Sequence, residues 1–281
     1  MKICVSSYSF YKYLSEGKLD PVTVMEKAKE LGFDGIEFAY DKASIEKYIP
    51  AVVAKSDELD LPIVAYLTSA DFVNRDFEGE VARLHEEVDV AAALGVKLMR
   101  HDTTWAFPKG KTFEDILPII AEGCRKVTEY AQTKGIRTMV ENHGILVQDS
   151  ARVVALYRAV NHENFSLLAD MGNFMCADEN SAVAMGNVLP YAAHIHAKDF
   201  HFKSGDGENP GEGFFGTRAG NYLRGAIVGH GVVPVKQCLQ LIKRAKYDGW
   251  MSLEFEGLED SMVGCRIGLS NLRRMCEEVG I

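Results

Sequence analysis

Paired cysteines, surplus basic residues and long apolar runs are all missing from this chain, and each absence argues against a class of function. The six cysteines (Cys4, Cys124, Cys176, Cys238, Cys265 and Cys276) are scattered and form no CxxC pair. That argues against a zinc ribbon or a dithiol redox motif and makes a reduced, cytoplasmic setting the expectation. Lys and Arg number 31 against 40 Asp and Glu, for a formal net charge of −9 and a pI near 5.4. Such a balance argues against a nucleic-acid partner, which calls for clustered cations. It leaves room for a small polar substrate, because a local site can differ from the mean. No stretch reaches the roughly 18 apolar residues of a membrane span. The opening Met1-Lys2-Ile3-Cys4-Val5-Ser6 lacks the basic-then-apolar pattern of a signal peptide. The first strand-like run is followed by Ser6-Ser7-Tyr8-Ser9-Phe10 rather than GxGxxG. This weakens, without removing, a doubly wound nucleotide-binding sheet as the architecture.

What the chain does contain is a strict alternation of short apolar runs and longer amphipathic ones. Strand-like runs fall at Lys2–Ser6, Asp34–Phe38, Pro62–Tyr66 and Val96–His101. Four more lead into Glu141, Asp170, His196 and Glu254. Helical patterns lie between them, at residues 20–31, 42–59, 76–94, 112–134, 149–160, 180–189, 234–246 and 261–279. Asp20-Pro21 reads as an N-cap followed by a first-turn proline, and Gly32, Gly95 and Gly135 each stop a helix. Eight strands alternating with eight helices in 281 residues predict a (β/α)8 TIM barrel spanning 1–281 as a single domain. One joint is unusual. Residues 199–233 form a long, Gly-rich, polar excursion after the seventh strand, far beyond the usual two to six residues. It is expected over the barrel mouth, either as a substrate lid or as an insertion that binds a partner.

The chemistry gathers in the second half. Four consecutive strands each end in a residue that ligates hard or borderline metals: Glu141, Asp170, His196 and Glu254. Parallel neighbours lie about 4.8 Å apart, so these side chains can converge at the C-terminal face, where barrel enzymes place their sites. Three carboxylates and one imidazole suit one divalent ion with open positions: Mn²⁺ or Mg²⁺, with Zn²⁺, Co²⁺ or Fe²⁺ admitted by the histidine.

The segments Val140-Glu141-Asn142-His143-Gly144, Asp170-Met171-Gly172-Asn173, His194-Ile195-His196-Ala197-Lys198-Asp199 and Leu253-Glu254-Phe255-Glu256-Gly257 resemble those of the xylose isomerase-like TIM barrels. That superfamily of sugar phosphate isomerases and epimerases includes ketose 3-epimerases and inosose dehydratases, with endonuclease IV as a relative. The resemblance implies that Glu141, Asp170, His196 and Glu254 bind one divalent ion, commonly Mn²⁺, and that Glu141 and Glu254 form an acid/base pair across a bound ketose. One carboxylate then takes a proton next to a carbonyl polarised by the ion, and the enediolate is reprotonated elsewhere. Return of the proton to the opposite face epimerises, and return to the neighbouring carbon isomerises. Loss of a group β to the carbonyl makes the protein a lyase, dehydratase or deglycosidase. A keto-sugar or a 3-keto-glycoside is the expected substrate, and dimers or tetramers are common in the family. Two positions depart from the ketose epimerases: Asn173 stands for a histidine and Phe202 for an arginine. Both point away from standard ketose 3-epimerisation. Endonuclease IV is disfavoured by its need for several more histidines than a chain with eight in all offers. A sugar-binding or scaffold barrel without catalysis is the non-enzymatic alternative.

Further candidates follow from position. His143 and Lys198 each stand two residues beyond a proposed ligand. His143 is expected as a second base or as a hydrogen-bond partner of the ligands. Lys198 is expected to bind a substrate oxygen or to pair with Asp199 or Glu256. Glu37, Tyr66, His101 and Asp102 near the ends of strands two to four, together with Asn173, are candidates for hydrogen bonds to sugar. Trp105 and Phe107 can stack on a sugar or pack the rim, and His230 reads as a turn residue.

Overall fold

The computed structural model describes residues 1–281. Eleven strands occur in chain order: β1 (Lys2–Ser6), β2 (Gly35–Ala39), β3 (Ile63–Thr68), β4 (Leu98–His101), β5 (Arg137–Glu141), β6 (Phe165–Asp170), β7 (Ala192–Ala197), β8 (Asp199–Lys203), β9 (Phe215–Gly216), β10 (Tyr222–Ala226) and β11 (Trp250–Leu253). β1 to β7 and then β11 pair in that order, all parallel, and β11 returns to β1 to close a barrel. The (β/α)8 architecture is therefore present as one domain, with helices outside the strands.

Local chemistry sets the helix ends. The Asp20 carboxylate accepts the N–H groups of Val22 and Thr23 at 3.0 and 2.8 Å, and Asp20 N–H donates to the Thr23 hydroxyl at 2.8 Å. This reciprocal cap starts helix Pro21–Leu31, and Gly32 at φ +90° ends it. The core has two parts because strand side chains alternate. Outward residues such as Phe38, Tyr66, Met99 and Leu167 join one cluster of 66 buried residues under the helices. Inward residues Ala65, Leu67, Met139 and Leu168 form a small separate plug inside the barrel. That plug is the floor beneath the mouth.

Three features differ from expectation. The helix expected over 42–59 is broken into Lys42–Ile45, a 3-10 turn Glu46–Tyr48 and Ile49–Leu59. Pro50 explains the break, since it has no N–H to donate and its ring clashes with the carbonyl four residues back. Helical turns at Ser7–Phe10 and Tyr11–Ser15 follow β1 directly and set Tyr8 and Tyr11 above the barrel. Finally, 199–233 is not an irregular excursion. β8 and β10 pair antiparallel from Asp199↔Ala226 to Lys203↔Tyr222, with β9 on the outer edge of β10. The period-two pattern Asp199-Phe200-His201-Phe202-Lys203 carries that strand signal. The Asp199 carboxylate accepts N–H groups of Phe200, Gly229, Gly231 and Val233 at 2.8–3.0 Å and so clamps both ends of the excursion.

Candidate metal and substrate site

Glu141 and Asp170 end β5 and β6, His196 lies in β7, and Glu254 follows β11. Asp170 and His196 are register partners, whereas Glu141 lies beside Leu168 and Ser252, two residues before Glu254, lies beside His196, so the side chains converge across staggered strand ends. One donor atom from each of the four lies within 4.8 Å of the other three. His196 Nδ1 is 3.7 Å from Glu141 Oε1, Asp170 Oδ2 and Glu254 Oε2 alike. Ligands around one ion with bonds of about 2.1 Å stand about 3.4 Å apart at a tetrahedral angle, so the spacing matches a shared cation. Unpaired atoms make the same point. Asp170 Oδ2 and His196 Nδ1 are buried without any hydrogen-bond partner, a costly arrangement that a bound ion relieves. These residues fit a divalent ion.

Neighbouring groups fix the ligands. Asp170 Oδ1 accepts the N–H groups of Gly172 and Asn173 at 2.7 and 2.8 Å, which leaves Oδ2 for the site. The Asn142 side chain bonds both backbone groups of Asp170, at 2.8 and 2.9 Å, and locks the ends of β5 and β6 together. Beneath His196, Glu37 Oε1 lies 2.8 Å from Nε2, and Glu37 Oε2 accepts His194 Nε2 at 2.7 Å. Burial alone would raise the Glu37 pKa, but the two imidazoles outweigh it and hold the carboxyl below its usual range. Glu37 thus orients His196 with Nδ1 towards the other ligands. Burial also disfavours charge on His196, but Glu37 and Glu254 raise its pKa well above the ordinary value.

Two permanent cations face this carboxylate cluster. Arg100 donates Nε and Nη2 to Glu141 Oε2 at 2.8 and 2.5 Å and reaches Asp102 at 3.4 Å. Lys198 Nζ lies 2.5 Å from Glu254 Oε2, 3.2 Å from Glu256 Oε1 and 3.5 Å from Asp170 Oδ2, and donates to Asn173 Oδ1 at 3.2 Å. Asn173 in turn donates to Glu141 Oε1 at 3.0 Å. Burial opposes the lysine charge, yet Glu254, Glu256 and Asp170 hold its pKa well above the usual value.

A cavity of about 310 Å³ opens above the ligands, lined among others by Tyr8, Asp41, Arg100, Asp102, His143 and Glu254. His143, Asp102 and Trp105 fall where expected, on its wall. His143 Nδ1 is 3.0 Å from Asp102 Oδ1, and Trp105 stands edge-on to the imidazole at 5.2 Å. Burial lowers and Asp102 raises the His143 pKa, with a net rise.

Three expected sugar contacts are not at the mouth. Glu37 is fully buried with both oxygens beside imidazoles. Tyr66 faces the helices and donates to Glu87 at 2.5 Å. Its strand continues to Thr68, so Tyr66 is neither terminal nor inward. His101 is also outward: it is fully buried, packs edge-on against Phe72 and has its pKa lowered to about 4 by burial. Phe107 packs at the rim beneath the Arg152 guanidinium, and His230 occupies an exposed turn. Arg100 and Tyr8 line the mouth without a prior expectation, and Glu256 pairs with Lys198, one of the two partners expected for that lysine. Arg100 was findable as the inward neighbour of His101. Tyr8 was hidden in an unrecognised helical turn.

Comparisons with known proteins agree with this fold. A family model described as "Xylose isomerase-like TIM barrel" matches residues 25–274. Inosose dehydratase of Lacticaseibacillus casei is 26% identical over 140 residues, which cover 49% of this chain and 46% of that protein, so the match spans about half the length of the relative. The probable 3-DHS dehydratase AsbF of Bacillus anthracis superposes with a TM-score of 0.78 at 17% identity, over 97% of this chain and 99% of that one. The 3-keto-D-glucoside 4-epimerase YcjR of E. coli does so with a TM-score of 0.74 at 16% identity, over 98% and 99%. At these identities the solved structures speak for the fold alone. With the family model running from the first barrel helix into the last, the chain belongs to the xylose isomerase-like TIM barrel family.

Proposed function

We propose that this chain is a divalent-metal-dependent isomerase or epimerase that takes a proton from the carbon beside the carbonyl of a keto-sugar or 3-keto-glycoside. The observation that carries the proposal is the convergence of Glu141, Asp170, His196 and Glu254, with two unpaired buried atoms, under a polar cavity. An ion held there would polarise the carbonyl and offset enediolate charge; the oxygen-rich donor set favours Mn²⁺. Glu141 and Glu254 stand on strands separated by β6 and β7 in the barrel order. From there one takes the proton and the other returns it. His143, with Nδ1 held by Asp102, keeps Nε2 free as a further base. Lys198 neutralises Glu254 and offers its ammonium to a substrate oxygen.

A second reading is β-elimination, as a dehydratase, deglycosidase or other lyase. It rests on the dehydratase name of the Lacticaseibacillus casei relative and on Glu256, placed 3.2 Å from Lys198 where it can hand a proton to a leaving oxygen. The proton-abstraction step is common to both readings. The test is exchange of the C–H beside the carbonyl of a 3-keto-glucoside in D₂O with Mn²⁺-loaded protein. Exchange is expected, and Glu254→Gln should slow it about 100-fold or more. The product then separates epimer from eliminated fragment. Absence of exchange in metal-loaded wild type would turn the reading towards a non-catalytic sugar-binding barrel.

A further inference from the structure

A second cavity, of about 260 Å³, adjoins the first and shares Tyr8 and Glu256 with it. Its character is different. The first is walled by Arg100, Asp102, His143 and Asp41, which offer hydrogen bonds and charge. The second presents the rings of Tyr8, Tyr11, Phe215 and Phe255. Two of its polar side chains, Lys12 and Ser9, are already engaged. The Lys12 ammonium donates to the carbonyls of Gly257, Leu258 and Glu259 at 2.9–3.2 Å. Ser9 donates to Leu253 O and accepts Phe255 N–H. What remains for a ligand is chiefly aromatic surface, edged by the Tyr8 and Tyr11 hydroxyls and Glu256. Tyr8, Tyr11 and Phe215 are 42%, 58% and 39% exposed, far more than rings in a packed wall. Tyr8 and Tyr11 stand 5.6 Å apart at 34°, as a paired platform.

The wall opposite that platform is built rather than loose. Phe215 sits on β9, paired with Leu223 of β10, and packs edge-on against Phe200 at 5.8 Å. β10 is held against the segment after β11 by a bridge between Gly225 and Gly257. The approach is so close that a Cβ on Gly225 would lie 2.3 Å from the Glu256 carbonyl. At its other end the sheet is tied down by Asp178, which accepts the Thr217 hydroxyl and Asn221 Nδ2 at 2.7 and 2.8 Å.

We infer that this cavity is a subsite for a flat aromatic substituent on the substrate, so that the protein acts on aryl glycosides of a keto-sugar rather than on free ketoses. The inference rests on the proposed keto-sugar activity and adds the class of group attached to the sugar. The sugar occupies the polar cavity over the ligands, and the attached ring passes Tyr8 and Glu256 to lie among Tyr8, Tyr11 and Phe215. A cavity of roughly 150 Å³ holds a benzene molecule, so the space is sufficient. Stacking on ring faces is the favourable contact such a wall offers.

The experiment is calorimetric titration of the Mn²⁺-loaded protein with phenyl and methyl 3-keto-β-glucosides, alongside D₂O exchange on both. The phenyl glycoside should bind at least about tenfold more tightly than the methyl one. In Phe215→Ala and, separately, Tyr11→Ala, that ratio should fall towards one. Equal affinities in the wild type overturn the subsite whatever the exchange result. If Phe215→Ala then also splits an oligomer in sedimentation, the rings cover a second copy of this chain instead. Failure of both glycosides to bind overturns the subsite together with the sugar reading. Tight phenyl-selective binding without exchange keeps the subsite and removes the proposed catalysis.

Discussion

The two halves of the barrel do different work at one mouth. β5, β6, β7 and β11 supply the four converging donor atoms, each at the end of its own strand. β1 to β4 supply no donor but add supports from across the barrel, Glu37 under His196 and Arg100 beside Glu141, to those that Asn142, Asn173 and Lys198 provide locally. The contrast teaches that part of the donor geometry comes from strands that contribute no donor. Donor residues announce themselves by type. Their supports do not, because a buried carboxylate or guanidinium acquires its role only from what lies across the barrel.

The comparison can be broken by substitution in the supporting half. Arg100→Met should have the largest effect. It leaves Glu141 buried without its cation, a change that typically costs about 3–5 kcal/mol. Thermal or denaturant unfolding checks the prediction, and the loss should shrink when Mn²⁺ is added, because the ion replaces the missing positive charge. An equal loss with and without Mn²⁺ would separate Arg100 from the site. Glu37→Gln should come next. It removes the anion that orients His196 and should weaken metal binding about 10–100-fold, measured by competition with a chelating dye. Unchanged affinity would reduce Glu37 to core filling.

Tyr66→Phe sharpens the contrast from the other side. Tyr66 faces the helices, so losing its hydroxyl should destabilise by about 1–2 kcal/mol through the bond to Glu87 while metal affinity stays the same. A change in metal affinity would contradict its outward placement. The smallest effect belongs to Asp20→Ala, about 1 kcal/mol for a lost cap. The backbone N–H of Thr23 lowers the Asp20 pKa despite some desolvation. A group whose folded pKa is lowered contributes its stability above the unfolded value and loses it as pH falls through the folded one. The difference between Asp20→Ala and wild type in urea midpoint should therefore be present at neutral pH and vanish in strong acid.

These same residues explain what the sequence discloses and what it hides. The alternation of strands and helices is legible because Gly32, Gly95 and Gly135 punctuate it and because the apolar runs have strand length. Glu141, Asp170, His196 and Glu254 stand out because each closes such a run with a side chain of metal-binding type. Tyr66 and His101 mislead because neighbouring strand residues point to opposite faces, and a shift of one position exchanges barrel interior for helix layer. At β4 that one position separates His101 from Arg100. β3 adds a register irregularity against β2, between Ile36 and Phe38. The small sheet of β8, β9 and β10 is masked by the Gly-rich tip between its strands, although Asp199–Lys203 alternates as a strand should. Glu37 lies at the correct parity but too deep for substrate, and no pattern in sequence reports depth along a barrel axis.

The central claim is that Glu141, Asp170, His196 and Glu254 share one divalent ion. Metal content after loading with Mn²⁺ and gel filtration, wild type beside His196→Ala and Glu141→Gln, tests it most directly. About one equivalent in the wild type and almost none in His196→Ala, with both proteins folded, is the expected result. Wild type without metal, or His196→Ala with as much as wild type, would contradict it.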